Sequence, residues 1–171
     1  MELVTSRLRL RPFTFEDVDS THKYVSDAES IRYMLYFPTR SLNETREFLT
    51  RSIGEWAKPN PEFYEFVIEL NHQNIGEVSV YLNNSRTQGE LGWLIHRDFQ
   101  NNGYVTEAAE AIKYFSINML QLERLYACCD SRNIASRRIM EKIGLKLESS
   151  NGTRINCDGC QATELIYSLT V

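Results

Sequence analysis

The stretch QNNGYVTEAAEAIKYF, Gln100 to Phe115, decides how the chain is read. A polar loop with two asparagines and one glycine runs into a helical pattern. Val105, Ala108, Ala109, Ile112 and Phe115 recur there at the spacing of one buried face. The run before it, GELGWLIHRDF from Gly89, reads as a strand. A strand entering a helix this way leaves the backbone N–H groups of Asn102, Gly103, Tyr104 and Val105 without intrahelical partners. Those donors and the positive end of the helix dipole suit an anion, and Gly103 removes a side chain where an anion needs close approach. A lone glycine at a helix start also fits an ordinary turn, so the rest of the chain has to separate the two readings.

Working outward, the opening LRLRPF reads as a strand with Leu8 and Leu10 on one face and Arg7, Arg9 and Arg11 on the other. Thr14 with Asp17 gives a capping-box-like helix start, and Val18, His22 and Val25 follow at helical spacing. A second capped helix begins at Ser41 with Glu44, carries Leu42, Leu49, Ile53 and Trp56 inward, and ends at Lys58–Pro61. Between them IRYMLYFPTR holds Tyr33, Tyr36 and Phe37, an aromatic segment that suits a substrate pocket or a core equally. Runs over 62–70 and 74–82 and the strand from Gly89 are joined by short links, which favours an antiparallel meander. After the helix come the strand RLYACCD and a short helix with Ile139, Met140 and Ile143 inward, closed by Gly144. A hairpin follows, whose last strand alternates Leu165, Tyr167 and Leu169. This order predicts one mixed α/β (α+β) domain over residues 1–171.

A net charge of -4 argues against nucleic acid as the main partner, although SRRIMEK around Arg137 and Arg138 is locally basic. No apolar run reaches transmembrane length, and MELVTSRLRLRPF lacks the form of a signal peptide, so a cytoplasmic protein is expected. The four cysteines, Cys128, Cys129, Cys157 and Cys160, invite a zinc reading. Adjacent cysteines in a strand point to opposite faces, and the Asp-Gly between Cys157 and Cys160 suits a two-residue hairpin turn. Structural thiols and no metal are the expectation.

A second signal lies in DSRNIASRRIMEKIGL, where Asn133 and Ser136 stand three apart at a strand-to-helix junction and share a face. Alone, the pair fits a helix N-cap with an ordinary first-turn serine. Beside the Gln100–Val105 loop it resembles something more specific. QNNGYV is similar to the acetyl-CoA signature Q/R-x-x-G-x-G/A of GNAT-fold N-acetyltransferases, with Gln100 and Gly103 matching. The TEA of Thr106–Ala108, the opening SRLRLRPFTFEDVD and the N-x-x-S…MEKIGL run resemble the RimJ/RimL-like, ribosomal-protein alanine acetyltransferase branch. The resemblance runs from about Thr5 to the C-terminus. Many members have glycine where Asn101 stands and glycine or alanine where Val105 stands; Val105 is expected to add bulk near the pyrophosphate and weaken or shift coenzyme binding.

The resemblance implies a mostly antiparallel central sheet with a splayed parallel strand pair and flanking helices. It implies acetyl-CoA as cosubstrate, direct transfer of the acetyl group to a primary amine, and no resident metal. Trp93, Leu94 and Ile95 would offer backbone groups to pantetheine, and Gln100, Asn101, Asn102, Gly103, Tyr104, Val105 and Thr106 would hold the pyrophosphate. Asn133 and Ser136 would meet the pantetheine arm. Glu90 is the first candidate for general base, sharing a strand face with Leu94, and Glu77 and Glu164 are the others. Many members place a tyrosine acid where Met140 stands, which leaves Ser136 as candidate acid. No suitably spaced histidine accompanies Cys128 or Cys129 as a nucleophile. Tyr33, Tyr36 and Glu77 are the candidate acceptor-binding residues. The acceptor could be a protein N-terminus, a polyamine, an amino acid or an aminoglycoside, on a monomer or homodimer. The alternative is a catalytically weak acyl-CoA-binding or sensing module of the same fold.

Overall fold

Strands form where one side chain in two is apolar, and their pairing follows the short links. β1 (Leu3–Val4) and β2 (Arg9–Pro12) make a short edge beside β3 (Phe63–Leu70). β3, β4 (Gln73–Leu82) and β5 (Gln88–Ile95) form the expected antiparallel meander. β6 (Arg124–Asp130), β7 (Lys146–Ile155) and β8 (Gln161–Thr170) complete one sheet in the order β1-β2-β3-β4-β5-β6-β8-β7. β5 and β6 run parallel. This computed structural model describes residues 1–35, 38–157 and 159–171. Among them no helix is long and apolar enough to cross a membrane.

The two faces of the sheet differ in chemistry. On one, Leu10, Phe66, Ile68, Val78, Val80 and Leu125 pack against α3 (Tyr104–Asn118) and α4 (Ile134–Lys142), forming the main core. The predicted stripe of α3 is buried throughout, and Phe115 meets Tyr64 and Phe66 edge-on at 5.3 and 5.5 Å. Truncating such a ring costs about 3–5 kcal/mol. The other face lies under α1 (Val18–Val25) and α2 (Leu42–Trp56), with two smaller clusters centred on Val67 and Leu94. The alternate positions beside these carry Glu65, Glu69, Glu77 and Glu90, so this face is only partly apolar. A carboxyl-bearing face under a helical roof, with apolar clusters on either side, is a place for a site.

Three expectations shift in detail. The Thr14–Asp17 box forms, but it closes a single 3-10 turn before α1, and Asp17 is further held by Arg11 at 2.8 Å. On α2, Leu42 is exposed and Glu55 buried, because the Ser41 cap puts Leu42 in an uncovered first turn. Glu55 is instead satisfied by the Glu62 N–H at 2.5 Å and Lys58 at 2.6 Å. The closing hairpin is not joined by a two-residue turn: Asn156 donates to the Cys160 carbonyl at 3.1 Å, so the connection runs over 156–160, with Asp158 outside the described residues.

The segment before β2 is latched onto α3. The Glu107 carboxylate accepts from Thr5 Oγ1 at 2.6 Å, Ser6 Oγ at 3.0 Å, the Arg7 N–H at 2.9 Å and Arg7 Nε at 2.7 Å. Burial opposes ionisation, but these donors outweigh it and hold the carboxyl at about 2. A depressed value contributes stability above the unfolded value of 4.5 that is lost as pH falls towards 2. Glu107→Gln is therefore expected to lower stability by about 1–2 kcal/mol at pH 7 and to flatten the loss between pH 4.5 and 2, read by urea melts across that range. An unchanged acid slope would mean that the latch is not ionic.

Candidate active site

The parallel strands pair only briefly. Gln88, Gly89 and Glu90 face Arg124, Leu125 and Tyr126, and beyond them β6 keeps its partner β8 while β5 keeps only β4. From Leu91 to Ile95, one edge of β5 has no strand partner among the described residues, although Leu91, Leu94 and Ile95 are buried. Buried backbone N–H and C=O groups without partners are costly, so such an edge suits an extended polar chain laid along it. Trp93, Leu94 and Ile95 lie on this stretch, with Leu94 facing the carboxylate side of the sheet.

At its end, β5 passes through one 3-10 turn (Arg97–Phe99) into the Gln100–Gly103 loop. Asn101 adopts φ +63° and Gly103 φ +80°. Asparagine is the non-glycine residue best suited to that region, which accounts for Asn101 where glycine is common. A Cβ on Gly103 would meet Arg7 Nη2 at an ordinary 3.5 Å, so conformation, not space, calls for glycine. Two of the loop's carbonyls are occupied: Arg7 Nη1 donates to the Asn102 carbonyl at 3.0 Å, and Asn102 Nδ2 to the Gln100 carbonyl at 2.9 Å. Arg7 also lies over the Tyr104 ring at 4.6 Å. Among the described residues no side chain caps the first turn of α3. Tyr104, Val105 and Thr106 therefore offer N–H groups at the positive end of a fifteen-residue helix, which fits the pyrophosphate of a coenzyme. The expected crowding by Val105 is corrected: its side chain is 8% exposed and packs into the main core.

Asn133 caps α4, its Oδ1 accepting from the Ser136 N–H at 3.1 Å. The helix-cap reading of N-x-x-S is thus realised, and Ser136 is buried in the first turn. Gly144, at φ +87°, closes the helix as expected; Leu145 N–H donates to the Met140 carbonyl at 3.0 Å, and Gly144 N–H to that of Glu141 at 3.1 Å.

On the carboxylate face, a cavity of about 130 Å³ is lined by Met34, Glu77, Ser79, Tyr81, Glu90, Leu91, Gly92 and Trp93. Gly92 keeps it open, since a Cβ there would meet Ser79 Oγ at 2.7 Å. Glu90 stands at the last paired position before the strands part, opposite Tyr81 on β4 and Tyr126 on β6. Burial pushes its carboxyl up, Glu164 adds to this, and Tyr126 and Cys128 hold it back as donors. Glu77 lies across from Leu94. Its side chain keeps some exposure, but its carboxyl is enclosed; burial, then the charge of Glu65, pushes it up to about 8 against a 3.5 Å contact from the Tyr24 hydroxyl. Glu65 itself is buried, pushed up by burial, and accepts from the Tyr81 hydroxyl.

The structure therefore brings Glu90 and Glu77 together and leaves Glu164 off the lining, 3.7 Å from Arg154. Tyr33 is not among the lining residues, although its neighbour Met34 is; its ring lies under Arg32 and Arg132 and its carbonyl accepts from Arg154. Tyr36 and Phe37 lie outside the described residues. Cys128 faces the site and Cys129 the core; burial pushes their thiols up to about 12 and about 11, which disfavours a nucleophilic thiolate. Tyr81, Ser79 and Gly92 were missed from sequence, although their strand parity with Glu77 and Glu90 places them on the same face.

A carboxyl raised in the folded state contributes stability at low pH that is lost as pH climbs from the unfolded value of 4.5 to about 8. Glu77→Gln, which cannot ionise, is expected to gain at least ~1 kcal/mol on wild type between pH 5 and pH 8 in urea melts. A parallel pH dependence of the two proteins would contradict the raised value.

Residues 7–146 match the acetyltransferase (GNAT) domain family. Among curated proteins, an uncharacterized N-acetyltransferase of Bacillus subtilis is 31% identical over 86% of this chain and 84% of its own. A spermidine N(1)-acetyltransferase of Escherichia coli is 25% identical over 82% and 74%. Among solved structures, a GNAT-family acetyltransferase from Bacillus anthracis superposes with a TM-score of 0.88 at 26% identity, covering 99% and 98% of the two chains. A RimL ribosomal-protein acetyltransferase solved with coenzyme A shares the fold at a TM-score of 0.89, with 18% identity over 100% and 98%. With the match spanning both the parted strands and the Asn133 junction, the chain belongs to the GNAT acetyltransferase family.

Proposed function

We propose that this acetyltransferase moves the acetyl group of acetyl-CoA directly onto a primary amine that enters as a cation. The observation that carries the reading is the juxtaposition of two carboxyl groups, Glu90 and Glu77, in one cavity beside the edge of β5 that β6 leaves. An ammonium group entering such a low-dielectric cavity favours the ionised form of its carboxyls and is held by them, but it cannot attack until it loses a proton. Glu90 takes that proton, directly or through a water, and burial makes its carboxylate a stronger base than a solvated glutamate. The amine nitrogen then attacks the thioester carbonyl, the C–N bond forms, and the C–S bond breaks as the tetrahedral intermediate collapses. The backbone N–H groups of Trp93 and Ile95, on either side of the one Leu94 gives to the β4 ladder, are the donors available to the developing oxyanion. Ser136, in the first turn of α4, supplies or relays the proton for the departing thiolate, since Met140 is buried and has none to give. Gln100–Thr106 hold the pyrophosphate, and Asn133 the pantetheine arm. Glu77 and Tyr33 recognise the acceptor, whether small amine or protein N-terminus.

One observation favours a second reading, a coenzyme-binding module with little turnover: no tyrosine acid occupies the Met140 position. The two are separated by acetyl transfer from acetyl-CoA across a panel of polyamines, amino acids, aminoglycosides and N-terminal peptides. Glu90→Gln is expected to cut kcat/KM by roughly 10²-fold or more, with coenzyme Kd unchanged, and Ser136→Ala to cut kcat by roughly tenfold. Tight coenzyme binding with no turnover on any amine would sink the enzymatic reading.

A further inference from the structure

The carboxylate face carries a chain of buried polar groups to which the reaction above assigns no part. Arg154, on β7, is only 8% exposed, a rare setting for a guanidinium. It is satisfied on three sides. Its Nη2 donates to the Tyr33 carbonyl at 2.9 Å, its Nε to Asn156 Oδ1 at 3.1 Å, and its Nη1 lies 3.7 Å from Glu164. Asn156 passes the chain on, its Nδ2 donating to Asp130 Oδ2 at 2.5 Å. Asp130 is fully buried at the end of β6 and also takes Arg132 Nη2 at 2.6 Å and the Arg132 N–H at 2.8 Å. Its carbonyl accepts from the N–H of Asn133, the cap of α4, at 2.9 Å. One hydrogen-bonded path thus runs from the Asn133 junction to the backbone of the segment between α1 and α2.

That segment supplies a wall of the cavity, through Met34. It is seated on the same hairpin a second time: the Cys157 N–H donates to the Met34 carbonyl at 3.0 Å, and Cys157 Sγ lies 3.8 Å from the Ile31 carbonyl. The rest of the segment is held by local turns, Ile31 to Asp27 and Met34 to Ile31, by Arg97 on Asp27 at 3.3 Å and by the packing of Ile31 against Leu94, so the hairpin supplies the polar seat of Tyr33 and Met34. A buried polar network with its members satisfied holds one geometry, and a guanidinium can serve several acceptors at fixed angles where a lysine serves as a point charge.

We propose that Arg154, with Asn156 and Asp130, is a positioning network that sets the Tyr33–Met34 wall against the Asn133 junction and thereby governs acceptor binding. None of the three touches reacting atoms. The inference rests on the acetyl-transfer reading for its kinetic consequence, but the seating of residues 31–34 can be read without turnover.

The test pairs steady-state kinetics with hydrogen–deuterium exchange on Arg154→Met, Arg154→Lys and Asn156→Ala. In Arg154→Met the acceptor KM is expected to rise roughly tenfold with coenzyme KM unchanged, and amides 31–34 to exchange faster. Arg154→Lys should recover part of both, and Asn156→Ala should show a smaller change of the same sign. Equal effects on both KM values, or faster exchange with no acceptor-specific change, would reduce the network to general stability and overturn the proposal. If Arg154→Met does not fold, Asn156→Ala decides in the same way. If the wild type acetylates no amine, the proposed activity fails instead. The seating is then judged by exchange alone, and unchanged exchange at 31–34 in both variants overturns it.

Discussion

The brevity of one strand pairing organises this molecule. β5 and β6 share a register only over Gln88–Glu90 and Arg124–Tyr126, and then each follows its other neighbour. The shared part is pinned from below by Gly89, Leu122 and Leu125 in the main core. Beyond it, β6 stays with β8 on its other edge through Asp130 while β5 stays with β4, and the two parallel strands part. An unpaired edge in a buried strand must be satisfied by something, and the loop that ends β5 offers further unpaired N–H groups a few residues on. Strand edge and helix start thus form one continuous set of donors and acceptors.

Chemistry then follows from parity. Every second residue of β3, β4 and β5 points away from the main core, and at those places the chain puts Glu65, Glu77, Ser79, Tyr81, Glu90 and Gly92. Burial raises both cavity carboxyls, Glu77 with help from the charge of Glu65 and Glu90 with help from that of Glu164, and a cation between them would favour their ionised forms. Binding energy for an ammonium group and a base for its proton thus share one physical source.

Much of this was legible in the sequence. The meander, the α3 stripe of Val105, Ala108, Ala109, Ile112 and Phe115, and the Gly144 closure all follow from local periodicity and capping, and all are found. What was not legible depends on contacts distant in sequence. The burial of Glu55 needs its partners in the loop before β3, and the depth of Asp130 and Arg154 needs the β7–β8 hairpin to fold back on residues 31–34. For Val105 the helical periodicity, which puts its side chain in the core, outweighs the loop signature, which put bulk near the pyrophosphate.

The central claim is that the parted edge of β5 and the start of α3 form a single coenzyme site. Backbone amide exchange, measured with and without acetyl-CoA, tests it most directly. The account predicts slowed exchange confined chiefly to residues 91–95 and 102–106, with the β3–β4 ladder unchanged. Coenzyme binding that leaves both segments unprotected, or that protects the α1–α2 face instead, would contradict it.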